Sequence, residues 1–228
     1  MPAPVISASS LNFLKNLAKN NDRDWFNANK HRYLKEYEEF IAFADALLRE
    51  MNKHDVIETV SGKKSALRIY RDTRFSKIKT PYKTNWGAYF KRATKFRRGS
   101  YYLHIEPGKS FVECGFWGPE PADLKRIRDE FAYDIKPLKK ILNSKSFRAN
   151  FGTLQGESVK TTPKGFRAEH PGIDFIRLKQ FLVVRNFTDK EVLHKNFLGE
   201  VNSTMKKMRP FLDYTTEILT TDANGEML

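Results

Sequence analysis

The sequence predicts an α+β protein: a mostly antiparallel central sheet flanked by helices, with a long N-terminal helix and a C-terminal helical region. Three observations predict it. Apolar residues recur every three or four positions in the first and last stretches of the chain. Segments of period two cluster between Ala66 and Phe116. Pro107-Gly108-Lys109 joins the last two of those segments as a tight turn, which makes them an antiparallel hairpin. Strands in the middle with helices before and after them form the layers of such a fold.

Ser9 or Ser10 is placed to cap a short helix that carries Leu11, Leu14 and Leu17 on one face. Asn20-Asn21 ends it, and the turn Asn20-Asn21-Asp22-Arg23 is of the polar kind that can line a site. Asp22 or Asp24 then opens a long helix to about Lys53, with Trp25, Phe26, Tyr33, Tyr37, Phe40, Ala44, Leu47 and Met51 at helical spacing. Ser61 to Lys64 reads as a turn, Ala66 to Arg71 as a strand, and Asp72 to Asn85 as a structured loop stiffened by Pro81. Trp86–Lys91, Ser100–Glu106 and Ser110–Phe116 read as further strands. Pro121 suits the start of a helix from Ala122 to Phe131, which resumes past a break at Asp134 and Pro137 and reaches Asn143. A helical turn covers Lys145 to Phe151, Gly152 to Ile173 is irregular, and Gln180 to Asn186 is a strand. Thr188-Asp189-Lys190-Glu191 has the spacing of a capping box and opens a helical region to about Leu219, with Gly199 and Pro210 as points of interruption. Asp222 to Leu228 reads as a frayed tail. No repeat or linker divides the chain, so residues 1–228 are expected to form one domain.

Composition excludes several classes. At 228 residues with 40% hydrophobic and 13% aromatic content, the chain can bury a sizeable core and is not disordered. No run approaches the roughly 20 apolar residues that cross a bilayer, so membrane insertion is not expected. Met1 to Ser10 lacks the basic and apolar regions of a secretory signal. The single cysteine forms no internal disulfide, and together these features place the protein in a reducing cytoplasm. Cys114, inside the apolar run Phe111 to Trp117, reads as a small buried hydrophobe, and Trp25, Phe26 and Trp117 read as core. No pattern in the chain specifies an oligomeric state.

Charge is the most informative property. Lys63 to Arg98 holds thirteen basic residues and one acid, Asp72, and so carries twelve of the fourteen net positive charges. A field this concentrated draws anions. Within it, Arg68, Arg71 and Arg74 offer planar forks suited to phosphate or carboxylate oxygens. Lys77, Lys79 and Lys83 add point charge, while Tyr70 and Tyr82 add aromatic surface. These eight residues are the candidate anion site. Asp72, placed to orient Arg71 or Arg74 or to act as a base, and His170, near Asp174, are the candidate catalytic groups. The chain has no phosphate-loop glycine pattern, no dinucleotide turn and no recognised zinc spacing. His104 and Glu106 share a strand face, but no metal or cofactor is expected.

Four segments together resemble one family: Phe13 to Leu17 with Asn20 to Phe26; Arg68 to Ser76 with Lys79 to Thr84; Tyr101 to Trp117; and Gly165-Phe166 to His170-Pro171. They are similar to the uncharacterised family called domain of unknown function 2461, over nearly the whole chain. The resemblance implies a single α+β domain and brings no activity, cofactor or catalytic residue. The chain departs from the family pattern at Ile78, where an acid is expected, and at Arg97 to Ser100, where the entry to the next strand is expected to be glycine-rich. From its own residues, the expected partner is an anionic ligand, namely nucleic acid, a nucleotide or another phosphorylated compound. The alternatives are an enzyme acting on a small phosphate or carboxylate substrate and a basic protein-interaction module.

Overall fold

The computed structural model describes residues 3–93, 96–222 and 225–228. Lys95 of the basic stretch and part of the expected tail lie outside the described residues. The architecture is α+β, with an antiparallel sheet of four strands in the order β1-β2-β3-β4. The strands are β1 (Trp86–Lys91), β2 (Ser100–Ile105), β3 (Ser110–Phe116) and β4 (Phe181–Phe187). Before the sheet come α1 (Ala8–Lys19), α2 (Arg23–Ala28), α3 (Lys30–Met51) and α4 (Gly62–Ser65). Between β3 and β4 lie α5 (Pro121–Tyr133), α6 (Lys136–Leu142), α7 (Lys145–Phe151) and α8 (Ile173–Ile176), and after β4 come α9 (Asp189–Val192) and α10 (Phe197–Thr220).

Local chemistry explains where these bounds differ from the expected ones. Ser7, not Ser9 or Ser10, caps α1 by accepting from the Ser10 amide. The other two serines are engaged elsewhere: Ser9 donates to Glu36, and Ser10 accepts from the Trp86 indole at 2.8 Å. The expected single long helix is two, α2 and α3. Asp22 caps α2, and Asn29 divides the pair by turning its own amide onto the Trp25 carbonyl at 2.9 Å. Residues 66–71 form no regular strand. Isolated bridges hold Ala66 to Ala88 and Tyr70 to Tyr82, with buried Ile69 in a bend between them. Pro121 itself is the first residue of α5. The capping box at Thr188 and Glu191 is present, and α10 runs unbroken through Gly199 and Pro210. At the C-terminus, Thr221 bridges Met227 and the Leu228 amide donates to the Thr220 carbonyl.

The chain forms two compact units. The first comprises Met1–Phe90, Tyr102–Val112 and Asn186–Ser203, and the second Lys91–Tyr101, Glu113–Arg185 and Thr204–Leu228. In the first, the buried Trp86 ring of β1 lies 5.8–6.1 Å from Phe13 of α1 and from Tyr33, Tyr37 and Phe40 of α3. In the second, Phe131 of α5 meets Phe181 of β4 edge-on at 5.7 Å. Arg92, 1% exposed, ion-pairs with Asp213 and donates to Thr216 of α10 and to the Arg98 carbonyl, while Arg98 pairs with Asp123. These two arginines of the basic stretch are therefore held by carboxylates of the second unit. Cys114 is buried, and burial pushes its thiol well above the ordinary range. Trp117 is not core: it is 67% exposed, because β3 ends at Phe116 and the bend into Gly118-Pro119 carries the indole outward. No helix among the described residues is long and apolar enough to cross a membrane.

Candidate anion site

The site lies in the first unit, where the chain leaves Ile69 and returns at Tyr82. The Arg71 amide donates to the Pro81 carbonyl at 2.8 Å and the Lys83 amide to the Ile69 carbonyl at 2.7 Å. These bonds close residues 71–81 into a loop with a narrow neck. Aromatic packing fixes that neck. Tyr82, buried, stacks on Phe26 of α2 at 3.9 Å, and Tyr70 meets both rings at 5.6–5.8 Å. Asn21, in the turn between α1 and α2, donates to the Tyr82 carbonyl at 3.0 Å and accepts from the Tyr82 amide at 3.1 Å. The side-chain amide thus substitutes for a strand partner on both backbone groups of Tyr82.

Three cations gather at this neck. Lys83 is held below its ordinary pKa by burial, and next by the charges of Arg68 and Arg71. Among the described residues, none of the three forms an ion pair with a carboxylate. Arg71 places a terminal nitrogen 3.4 Å from the Tyr82 carbonyl, and its Nε is buried without a hydrogen-bond partner. A cluster of like charges with an unsatisfied guanidinium donor is costly to hold, and a bound anion would offset both terms.

Arg74 is differently placed. Asp72 accepts from its Nε at 3.1 Å, its terminal nitrogen at 2.7 Å and its backbone amide at 3.2 Å. Those bonds hold the Asp72 carboxyl below the usual carboxylate range, so it stays ionised and orients Arg74. That chemistry suits an orienting group far better than a general base. Farther out, Phe75 is 96% exposed with the Arg74 guanidinium 5.9 Å from its ring centre. Lys77 and Ile78 are exposed beside it, and Lys79 donates to the Thr73 carbonyl at 3.0 Å.

His170 belongs to the second unit. Its Nδ1 accepts from the Gly172 amide at 3.0 Å, so Nε2 carries the proton and donates to the Ala132 carbonyl at 3.1 Å. Both ring nitrogens thus tie α5 to the approach of α8, and neither is left to move a substrate proton. Of the sequence-read residues, the structure gathers Arg68, Arg71, Lys83, Tyr70 and Tyr82 at the neck. It sets Asp72, Arg74, Lys77 and Lys79 on the loop beyond. Asn21 was legible only as part of a polar turn, since nothing in the spacing foretold its reach to Tyr82. Glu106 and His104, on their shared face, are 3.2 Å apart. Among the described residues no group of three or more His, Cys, Asp or Glu is arranged to hold a metal.

No curated protein and no solved structure matches this chain at a significant level. A family model does match, over residues 9–214, and its description is conserved hypothetical protein (DUF2461). The chain belongs to that family.

Proposed function

We propose that the protein binds a phosphorylated ligand at the neck of the 71–81 loop, and that single-stranded nucleic acid is the form it takes best. The reading rests on one observation: Arg68, Arg71 and Lys83 flank the loop's neck, with both arginine charges acting on the Lys83 ammonium and no carboxylate paired to any of the three among the described residues. A phosphate at that point meets two guanidinium forks and an ammonium. The loop beyond it supports the choice of nucleic acid. A nearly fully exposed phenylalanine set among Arg74, Lys77 and Lys79 offers a face for a base and charges for the flanking phosphates.

Fluorescence anisotropy with a labelled poly(dT) oligonucleotide tests it. Affinity should fall steeply between about 50 and 200 mM salt, as counterion release requires. Arg68→Glu, Arg71→Glu and Lys83→Glu should each abolish most of the binding. Phe75→Ala should weaken it by about tenfold, within the range of one lost base stack. Binding that ignores both salt and the three charge reversals sinks the reading. Equal binding of polyglutamate would instead favour the protein-interaction module.

A further inference from the structure

The first unit holds a second polar constellation, on the opposite face of β2 from its core. Tyr101, Leu103 and Ile105 are buried, so strand alternation places Tyr102, His104 and Glu106 together on the other side. His104 Nε2 lies 3.2 Å from Glu106 Oε2, and His104 Nδ1 lies 3.2 Å from the Tyr102 hydroxyl. The other Glu106 oxygen accepts from the Thr84 hydroxyl at 2.8 Å. An ionised carboxylate only accepts, so Nε2 carries the imidazole proton, Nδ1 is the acceptor, and Tyr102 donates to it. The direction of every bond in the chain is therefore set by chemistry.

Packing holds these groups in place. Phe111 of β3 stacks on the imidazole at 4.6 Å and 13°, and meets the Tyr102 ring edge-on at 6.0 Å. On β1, Gly87 makes room for the phenol. A Cβ there would lie 2.7 Å from the Tyr102 hydroxyl and 3.1 Å from its ring. Glycine weakens a strand interior and marks a close approach, here the approach of a hydroxyl. A hydroxyl, a neutral base aimed at it, a carboxylate orienting the base and a threonine steadying the carboxylate make up the constellation of an activated nucleophile.

We propose that Tyr102 is a nucleophile activated by His104, with Glu106 as the orienting carboxylate, and that it acts on a phosphate ester. The activation stands on the geometry above, and only the choice of a phosphate ester rests on the anion reading. Thr84 follows Lys83 directly, so the chain that brings a cation to the anion site also buttresses the relay. In the reaction, the Tyr102 oxygen attacks phosphorus, forming a tyrosyl O–P bond and breaking the bond to the leaving alkoxide. The phenol proton passes to Nδ1 of His104, and the imidazolium returns it to the departing oxygen. Water then cleaves the tyrosyl phosphate, with His104 again taking and giving the proton. Among the described residues, Tyr102, Glu106 and Lys109 are the titratable groups that act on His104. Burial holds its pKa below the ordinary value against the opposing pull of Glu106, which favours the neutral imidazole, the form that can accept a proton.

An aryl fluorosulfate probe tests the nucleophile without any ligand. The tyrosine oxygen displaces fluoride from sulfur, and peptide mapping reads which tyrosine reacted. Tyr102 should react about tenfold or more faster than Tyr89, the half-exposed tyrosine of β1. His104→Gln and Glu106→Gln should each remove that advantage in proteins that melt like the parent. Labelling should also fall as acid protonates His104. Tyr102 reacting no faster than Tyr89, or as fast in His104→Gln, overturns the proposal. Bis(4-nitrophenyl) phosphate reads the substrate class: release of one nitrophenolate with the 4-nitrophenyl phosphoryl group left on Tyr102 supports it, and no release overturns the phosphate assignment. Arg68→Glu separates the two readings, since it should lower turnover of this ester while leaving fluorosulfate labelling intact.

Discussion

Asp72 shows how one side chain changes the meaning of its neighbours. Three donors of Arg74 converge on it, so the Arg74 charge is already partly neutralised before any anion arrives. Asp72→Asn should therefore tighten oligonucleotide binding several-fold at low salt and leave the melting temperature unchanged, since the pair is solvent-exposed. Glu113 is the opposite case. Burial raises its carboxyl above the usual range, which means the folded protein disfavours its charge. Glu113→Gln should raise the melting temperature at neutral pH, and the gain should vanish as the pH falls below the unfolded carboxylate range, where the parent side chain is neutral in both states. A thermal melt at several pH values checks both direction and window. At Gly115 the constraint is steric. Its φ is +129°, and a Cβ would sit 1.9 Å from the Phe181 carbonyl oxygen of β4. Gly115→Ala should cost about 3 kcal/mol or more by denaturant unfolding, the range of strained and overpacked sites.

Among the elements, the 71–81 loop depends on a residue that lies outside it. Asn21 makes two hydrogen bonds to the Tyr82 backbone, each contributing about 1 kcal/mol. Asn21→Ala should keep the fold, accelerate hydrogen exchange at the Arg71 and Lys83 amides, and weaken oligonucleotide binding. Exchange rates unchanged at those two amides would show that the Tyr70–Tyr82 bridge suffices alone. How much of each element was legible depends on the range of the forces that set it. The hairpin at Pro107 to Lys109, the capping box at Thr188 and the proline start of α5 were legible, because turns and caps are settled by residues within a few positions. The break at Asn29 was not, since the apolar period runs across it, and its signs are the non-helical backbone of Asn29 and the bond of its side-chain amide to the Trp25 carbonyl. The segment Ala66 to Arg71 has strand chemistry throughout, yet its pairing is two isolated bridges, decided by partners at Ala88 and Tyr82.

At the level of the whole molecule, charge was visible in the sequence but its partners were not. Arg92 and Arg98 looked the same as Arg68 and Arg71 in the chain. Asp213 and Asp123 reach the first two, and no carboxylate among the described residues pairs with the second two. Period-two reading put His104 beside Glu106, and the same alternation contains Tyr102. Thr84 came from another part of the chain and carried no local signal. Because a ligand that binds only the folded state stabilises it, phosphate should raise the melting temperature more than chloride at equal ionic strength. At a concentration about a hundred times its dissociation constant, the gain is about 2.7 kcal/mol. Arg68→Glu with Lys83→Glu should reduce the phosphate effect to that of chloride. The one cysteine has a practical consequence. With its sulfur enclosed and its ionisation suppressed, Cys114 is a silent background to thiol reagents, so a cysteine placed by Ile78→Cys, at an exposed position of the loop, would take a maleimide dye alone. The dye would sit on the loop beside Phe75, reporting the arrival of a polyanion in real time with Cys114 left in place.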